Sequence, residues 1–107
     1  VDAERLGAVA RPLWSRLFTP SELAGLHICG DEEALVLATV IFSAKEAFFK
    51  CQHAVTGAWL EVTQAEVQVS NDSFTLHSGD GGPDEQAKGR FVLVGGLVIT
   101  ATAWEAG

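Results

Sequence analysis

Apolar residues set the rhythm of the chain, and that rhythm changes once. Leu6, Val9, Leu13 and Leu17 follow helical spacing, but Pro12 interrupts them, so a first helix is predicted to start close to Pro12. Thr19-Pro20-Ser21-Glu22 has the makings of a second helix start. Thr19 caps, Pro20 suits the first helical position, and Glu22 returns a bond to the cap. Gly30 then punctuates the chain before a long third helix, predicted over Asp31 to Gln52. Its acidic opening, Asp31-Glu32-Glu33, favours the positive end of the helix dipole. Ala34-Leu35-Val36-Leu37-Ala38 and Val40-Ile41-Phe42 make its first half apolar nearly all round, as in a buried central helix. Thr56-Gly57 closes the helical region.

From Ala65 the period drops to two. Ala65, Val67 and Val69 alternate with Glu66, Gln68 and Ser70, and Asn71-Asp72 marks a turn into a short strand over Phe74-Thr75-Leu76. Ser78 to Gly89 is rich in glycine and charge and reads as a mobile surface loop. Phe91 to Val94 and Leu97 to Trp104 form a hairpin across Gly95-Gly96. Val1-Asp2-Ala3-Glu4 reads as the end of a strand. The expected fold is α+β: three helices, the longest packed on an antiparallel sheet.

Composition narrows the class of partner. A chain of 107 residues is one small domain, and 48% hydrophobic residues suffice for a core. Fourteen acidic against seven basic residues give a net charge of −7, which argues against a general nucleic-acid or anionic-membrane surface. The basic residues are scattered apart from Lys45 with Lys50. A phosphate ligand would need a metal, or basic residues borrowed from elsewhere. Cys29 and Cys51 have no metal-type spacing and read as thiols in a reducing compartment. No signal peptide or membrane-length apolar run is visible, so a cytoplasmic location is expected. The sequence has no methionine, even at position 1, and reads as a piece of a longer protein.

Candidate chemistry lies in two places. If Val1–Glu4 is extended, Asp2 and Glu4 point the same way and repel each other unless a cation or protons intervene. In the long helix, Ser43, Glu46 and Lys50 share a face with Ala47 beside them, Lys45 lies on the flank of Glu46, and Phe42 and Phe49 share another side. Metal-assisted phosphate chemistry is one reading of these charges; local salt bridges on a solvated face and a solvated acidic terminus are the other. The capping box accounts for Glu22 without chemistry. His27, His53 and His77 are too scattered for a ligand set. Trp14, Trp59 and Trp104 read as core or domain-contact residues.

Together, Asp2-Ala3-Glu4 and Phe42-Ser43-Ala44-Lys45-Glu46-Ala47-Phe48-Phe49-Lys50 resemble the two motifs of the phosphopantetheinyl transferase superfamily, in the dialect of its Sfp-like and enterobactin-synthase-like branch. Leu17-Phe18-Thr19-Pro20-Ser21-Glu22 resembles the short segment between them, and the match runs over essentially the whole chain as a C-terminal lobe. The resemblance implies Mg²⁺ held by Asp2, Glu4 and Glu46, hard oxygen donors of the kind that ion prefers. It implies Lys45 and Lys50 on the pyrophosphate of coenzyme A. Lys50 would stabilise the developing charge, and Glu46 would serve as base for a serine hydroxyl of an acyl- or peptidyl-carrier protein. A place for Glu22 near the metal stays open.

Two functional classes follow. One is a holo-carrier-protein synthase; the other is an isolated lobe that is catalytically inactive and acts only as a folded interaction module. Members of the two-lobe branch bind coenzyme A between lobes, and the first lobe supplies basic residues for the adenosine end. That lobe is expected to be missing here, to be made good by a separate lobe or by self-association.

Overall fold

Antiparallel pairing fixes which side of each strand meets the helices. In the computed structural model, which describes residues 1–57, 62–78 and 85–104, the strands are β1 (Asp2–Arg5), β2 (Ala65–Ser70), β3 (Ser73–Ser78), β4 (Glu85–Val94) and β5 (Leu97–Trp104). They form one sheet in the order β1-β5-β4-β3-β2. The helices are α1 (Trp14–Leu17), α2 (Pro20–His27) and α3 (Asp31–Thr56), with 3₁₀ turns at Arg11–Leu13 and Val62–Gln64. The architecture is α+β, with the long helix on the sheet.

α3 opens on three acids, as its sequence predicts, and runs past Gln52 to Thr56, where the Gly57 N–H returns to the His53 carbonyl at 2.8 Å. Ala34, Ala38, Ile41, Ala44 and Phe48 recur along one side of it at helical spacing and are buried in the core. The small alanines let the backbone lie close along β5, its main neighbour. Trp14 and Phe18 meet edge-to-face and complete the core with Leu26, Val67, Phe74, Leu76 and Ala87. All the helices lie on this one face. Alternation turns Val92, Val94 and Leu97 to the other face, where they are exposed. Trp59 lies outside the described residues, as does the side chain of Trp104.

The helical spacing that includes Leu6 and Val9 does not become a helix there. The Leu6 N–H instead pairs with the Gly96 carbonyl at 2.9 Å, which extends the β1–β5 pairing by one residue. Gly95 and Gly96 both have positive φ (55° and 78°), as the tight β4–β5 turn requires.

The loop expected from Ser78 to Gly89 is corrected in its second part: residues from Glu85 are strand, paired to β3 and β5. Residues 79–84 lie outside those described. Gly89 sits opposite Phe74, whose ring lies over it. A Cβ at Gly89 would stand 2.3 Å from Phe74 Cζ and 2.4 Å from the Ala101 carbonyl oxygen. The ring could shift, but the strand backbone has no such freedom. Gly89→Ala is therefore expected to lower stability by about 1–3 kcal/mol, read as a lower urea midpoint at constant slope. An unchanged midpoint would mean the β3–β5 spacing yields at no cost.

Candidate functional site

Asp2 is the pivot of the site. Its register opposite Thr100 points the side chain inward, toward the second half of α3, and it is almost fully buried. Two side chains meet it there. The Ser43 hydroxyl donates to Asp2 Oδ2 at 2.8 Å, and the Lys50 ammonium donates to Oδ1 at 2.8 Å. Behind Ser43, Thr100 Oγ1 lies 2.9 Å from Ser43 Oγ and 3.2 Å from the Ser43 carbonyl oxygen. A second tie holds β1 to the helix, since the Gly7 N–H reaches Thr39 Oγ1 at 3.3 Å and that hydroxyl donates to the Leu35 carbonyl at 2.7 Å.

Glu4 and Glu46 complete the neighbourhood. Burial pushes the Glu4 carboxyl up, and so do the charge and hydrogen bond of Asp2 and the charge of Glu46; Lys50 opposes them. Lys50 moves the other way. Its hydrogen bond to Asp2, helped by the charges of Asp2, Glu46 and Glu4, raises its ammonium above the ordinary 10.5. Asp2, Glu4, Glu46 and Lys50 thus share one electrostatic field, with Lys50 still 57% exposed. Asp2 is turned to Ser43 and Lys50, and among the described residues no three His, Cys, Asp or Glu side chains close on a point as a ready-made metal cage. The donor chemistry nonetheless fits a hard cation. Glu4 feels the charges of both Asp2 and Glu46, and that excess of negative charge is what such an ion would relieve.

Lys45 stands apart from this group. One step along a helix is a turn of about 100°, so Lys45 and Glu46 leave α3 toward different neighbours. The Lys45 ammonium donates to Glu22 Oε1 at 2.7 Å and to the Leu17 carbonyl at 3.0 Å, and both side chains of the ion pair are only 1% exposed. Glu22 also accepts from the Thr19 N–H at 2.8 Å and the Val67 N–H at 2.7 Å. It closes the capping box read from the sequence and ties α2, α3 and β2 together. The Thr19 hydroxyl extends the network to Glu66 at 2.7 Å. Burial lowers the Lys45 ammonium below its ordinary value, against the pull of Glu22 and Glu66.

Thr100 is the site residue that sequence reading missed. Its signal is a polar residue in the inward phase of β5, two places from the buried Val98. His27 and His77 are exposed and His53 is half-buried at the end of α3, as scattered as their spacing suggests. Cys29 and Cys51 are unbridged. No helix among the described residues is long and apolar enough to cross a membrane.

No curated protein matches the chain. The sequence profile of the 4′-phosphopantetheinyl transferase superfamily does, over residues 1–101, a span that takes in both acidic motifs, the Glu22 segment and all five strands up to the middle of β5. By that match the chain belongs to the 4′-phosphopantetheinyl transferase superfamily.

Proposed function

We propose that the chain is the C-terminal lobe of a two-lobe, Mg²⁺-dependent transferase that moves phosphopantetheine from coenzyme A to a serine of an acyl- or peptidyl-carrier protein. The observation that carries this reading is the joining of Asp2, Glu4, Glu46 and Lys50 from β1 and α3 into one field. Asp2, Glu4 and Glu46 would hold Mg²⁺, which supplies charge neutralisation at the pyrophosphate. Lys50, exposed enough to turn outward, binds a phosphate oxygen and stabilises the charge that develops there. Lys45 would have to leave Glu22 to reach the same phosphate, so we assign the pyrophosphate contact to Lys50 first. Glu46 takes the proton from the carrier serine hydroxyl. The serine oxygen bonds to the β-phosphorus as the bond to the bridging oxygen breaks, and adenosine 3′,5′-bisphosphate leaves. Unbridged Cys29 and Cys51 support a cytoplasmic setting.

The uncovered apolar sheet face at Val92, Val94 and Leu97 favours a second reading, a lobe acting as an interaction module. A carrier-protein mass-shift assay separates the two. With Mg²⁺ and coenzyme A, residues 1–107 alone should bind coenzyme A weakly and modify little carrier. With only seven basic residues against fourteen acidic ones, the chain lacks donors for the adenosine end. The full-length protein should add one phosphopantetheine per carrier, lose that activity with EDTA, and regain it with Mg²⁺. A full-length protein inert under these conditions would favour the interaction module.

A further inference from the structure

We propose that Ser43 and Thr100 are positioning residues: a two-hydroxyl relay that locks Asp2 in one rotamer and leaves its Oδ1 facing Lys50 and any cation bound there. The inference rests on the reading of Asp2 as part of the catalytic site. Both hydroxyl residues are 0% exposed, at the contact between α3 and β5. A buried hydroxyl costs stability unless it is bonded, and apolar residues fill the neighbouring contacts at Ala44, Ala47 and Val98. Packing alone would be served by an alanine and a valine in their places.

The proton count makes the relay directional. A carboxylate oxygen only accepts, so the single Ser43 proton goes to Asp2 Oδ2 at 2.8 Å. Ser43 Oγ is then an acceptor toward Thr100, 2.9 Å away. The Thr100 proton goes either there or to the Ser43 carbonyl oxygen at 3.2 Å, and both choices fix Thr100 against the same residue of α3. Thr100 is also the cross-strand partner of Asp2 in the β1–β5 register. The relay thus runs from strand to helix and back to the neighbouring strand. It spends Oδ2 on the scaffold and reserves Oδ1 for charge. Partners of this kind, which orient a ligand residue, commonly change metal affinity by about 10–100-fold when removed.

The test uses three variants of the 107-residue chain: Ser43→Ala, Thr100→Val, which keeps the shape, and Thr100→Ser, which keeps the hydroxyl. Two independent quantities are read: the Asp2 χ1 rotamer population from NMR three-bond couplings, and Mn²⁺ affinity by EPR. Wild type and Thr100→Ser should show one Asp2 rotamer and equal Mn²⁺ affinity. In Ser43→Ala, Asp2 should average over rotamers and Mn²⁺ binding should weaken about tenfold or more; Thr100→Val should show a smaller loss of the same sign. If Ser43→Ala does not fold, the Thr100 pair carries the comparison. A single Asp2 rotamer in Thr100→Val, with the affinity of Thr100→Ser, overturns the relay. Rotamer averaging in the variants of a wild type that binds no Mn²⁺ supports the relay and removes the metal reading instead.

Discussion

Lys45→Met is expected to destabilise the chain by about 3–5 kcal/mol, because it strands the buried Glu22 carboxylate without its counter-charge. The pair lies in the interior, at 1% exposure on both sides, so little solvent screening softens the loss. Glu22 keeps its bonds from the Thr19 and Val67 N–H groups, and those do not neutralise it. The double variant Lys45→Met/Glu22→Gln should recover most of the deficit, since a neutral amide oxygen still accepts one of these backbone bonds. Urea unfolding of wild type, Lys45→Met, Glu22→Gln and the double variant closes the cycle. Equal midpoints for wild type and Lys45→Met would show that the pair contributes nothing.

Glu46→Gln is expected to leave the fold intact and cut transfer by the full-length protein by about 10²–10⁴-fold, the usual contribution of a positioned base. Glu46 is half-buried at the rim of the site and takes no part in the apolar core, so melting should change little. In the chain alone the variant has a second readout. Glu46 is one of the charges holding the Glu4 carboxyl above its ordinary 4.5, so an NMR titration should find Glu4 moved downward. Near-normal turnover would mean the proton goes elsewhere. An unmoved Glu4 would mean the two carboxylates do not share a field.

The long helix was legible because its acidic opening, its apolar run and Gly57 all agree on one element. The hairpin was legible from Gly95-Gly96, since few other pairs turn a two-residue corner. The first half of β4 was not. Glu85, Gln86, Lys88, Gly89 and Arg90 look like a loop because the pairing that makes them strand is backbone bonding between β3 and β5, which leaves no apolar pattern. At the site, helical spacing alone put Ser43, Glu46 and Lys50 on one face. It could not reveal Thr100, 57 residues from Ser43, or tell that Lys45 ends on Glu22, 23 residues back. Periodicity gives the direction in which a side chain leaves its element; what it meets is decided by the packing of elements remote in sequence.

Asp2 and Glu4 ride on a four-residue strand at the margin of the sheet, paired to β5 alone. Short marginal strands open locally at far less cost than the core. Local opening of β1 would part its carboxylates from the helix that carries Glu46 and Lys50 without global unfolding. Any cation affinity measured on the chain is the intrinsic affinity scaled by the docked fraction. A cation bound at the carboxylates should slow amide hydrogen exchange in Asp2–Arg5 and leave β3 and β4 unchanged, which would make the exchange rate of this strand a gauge of how completely the site is assembled.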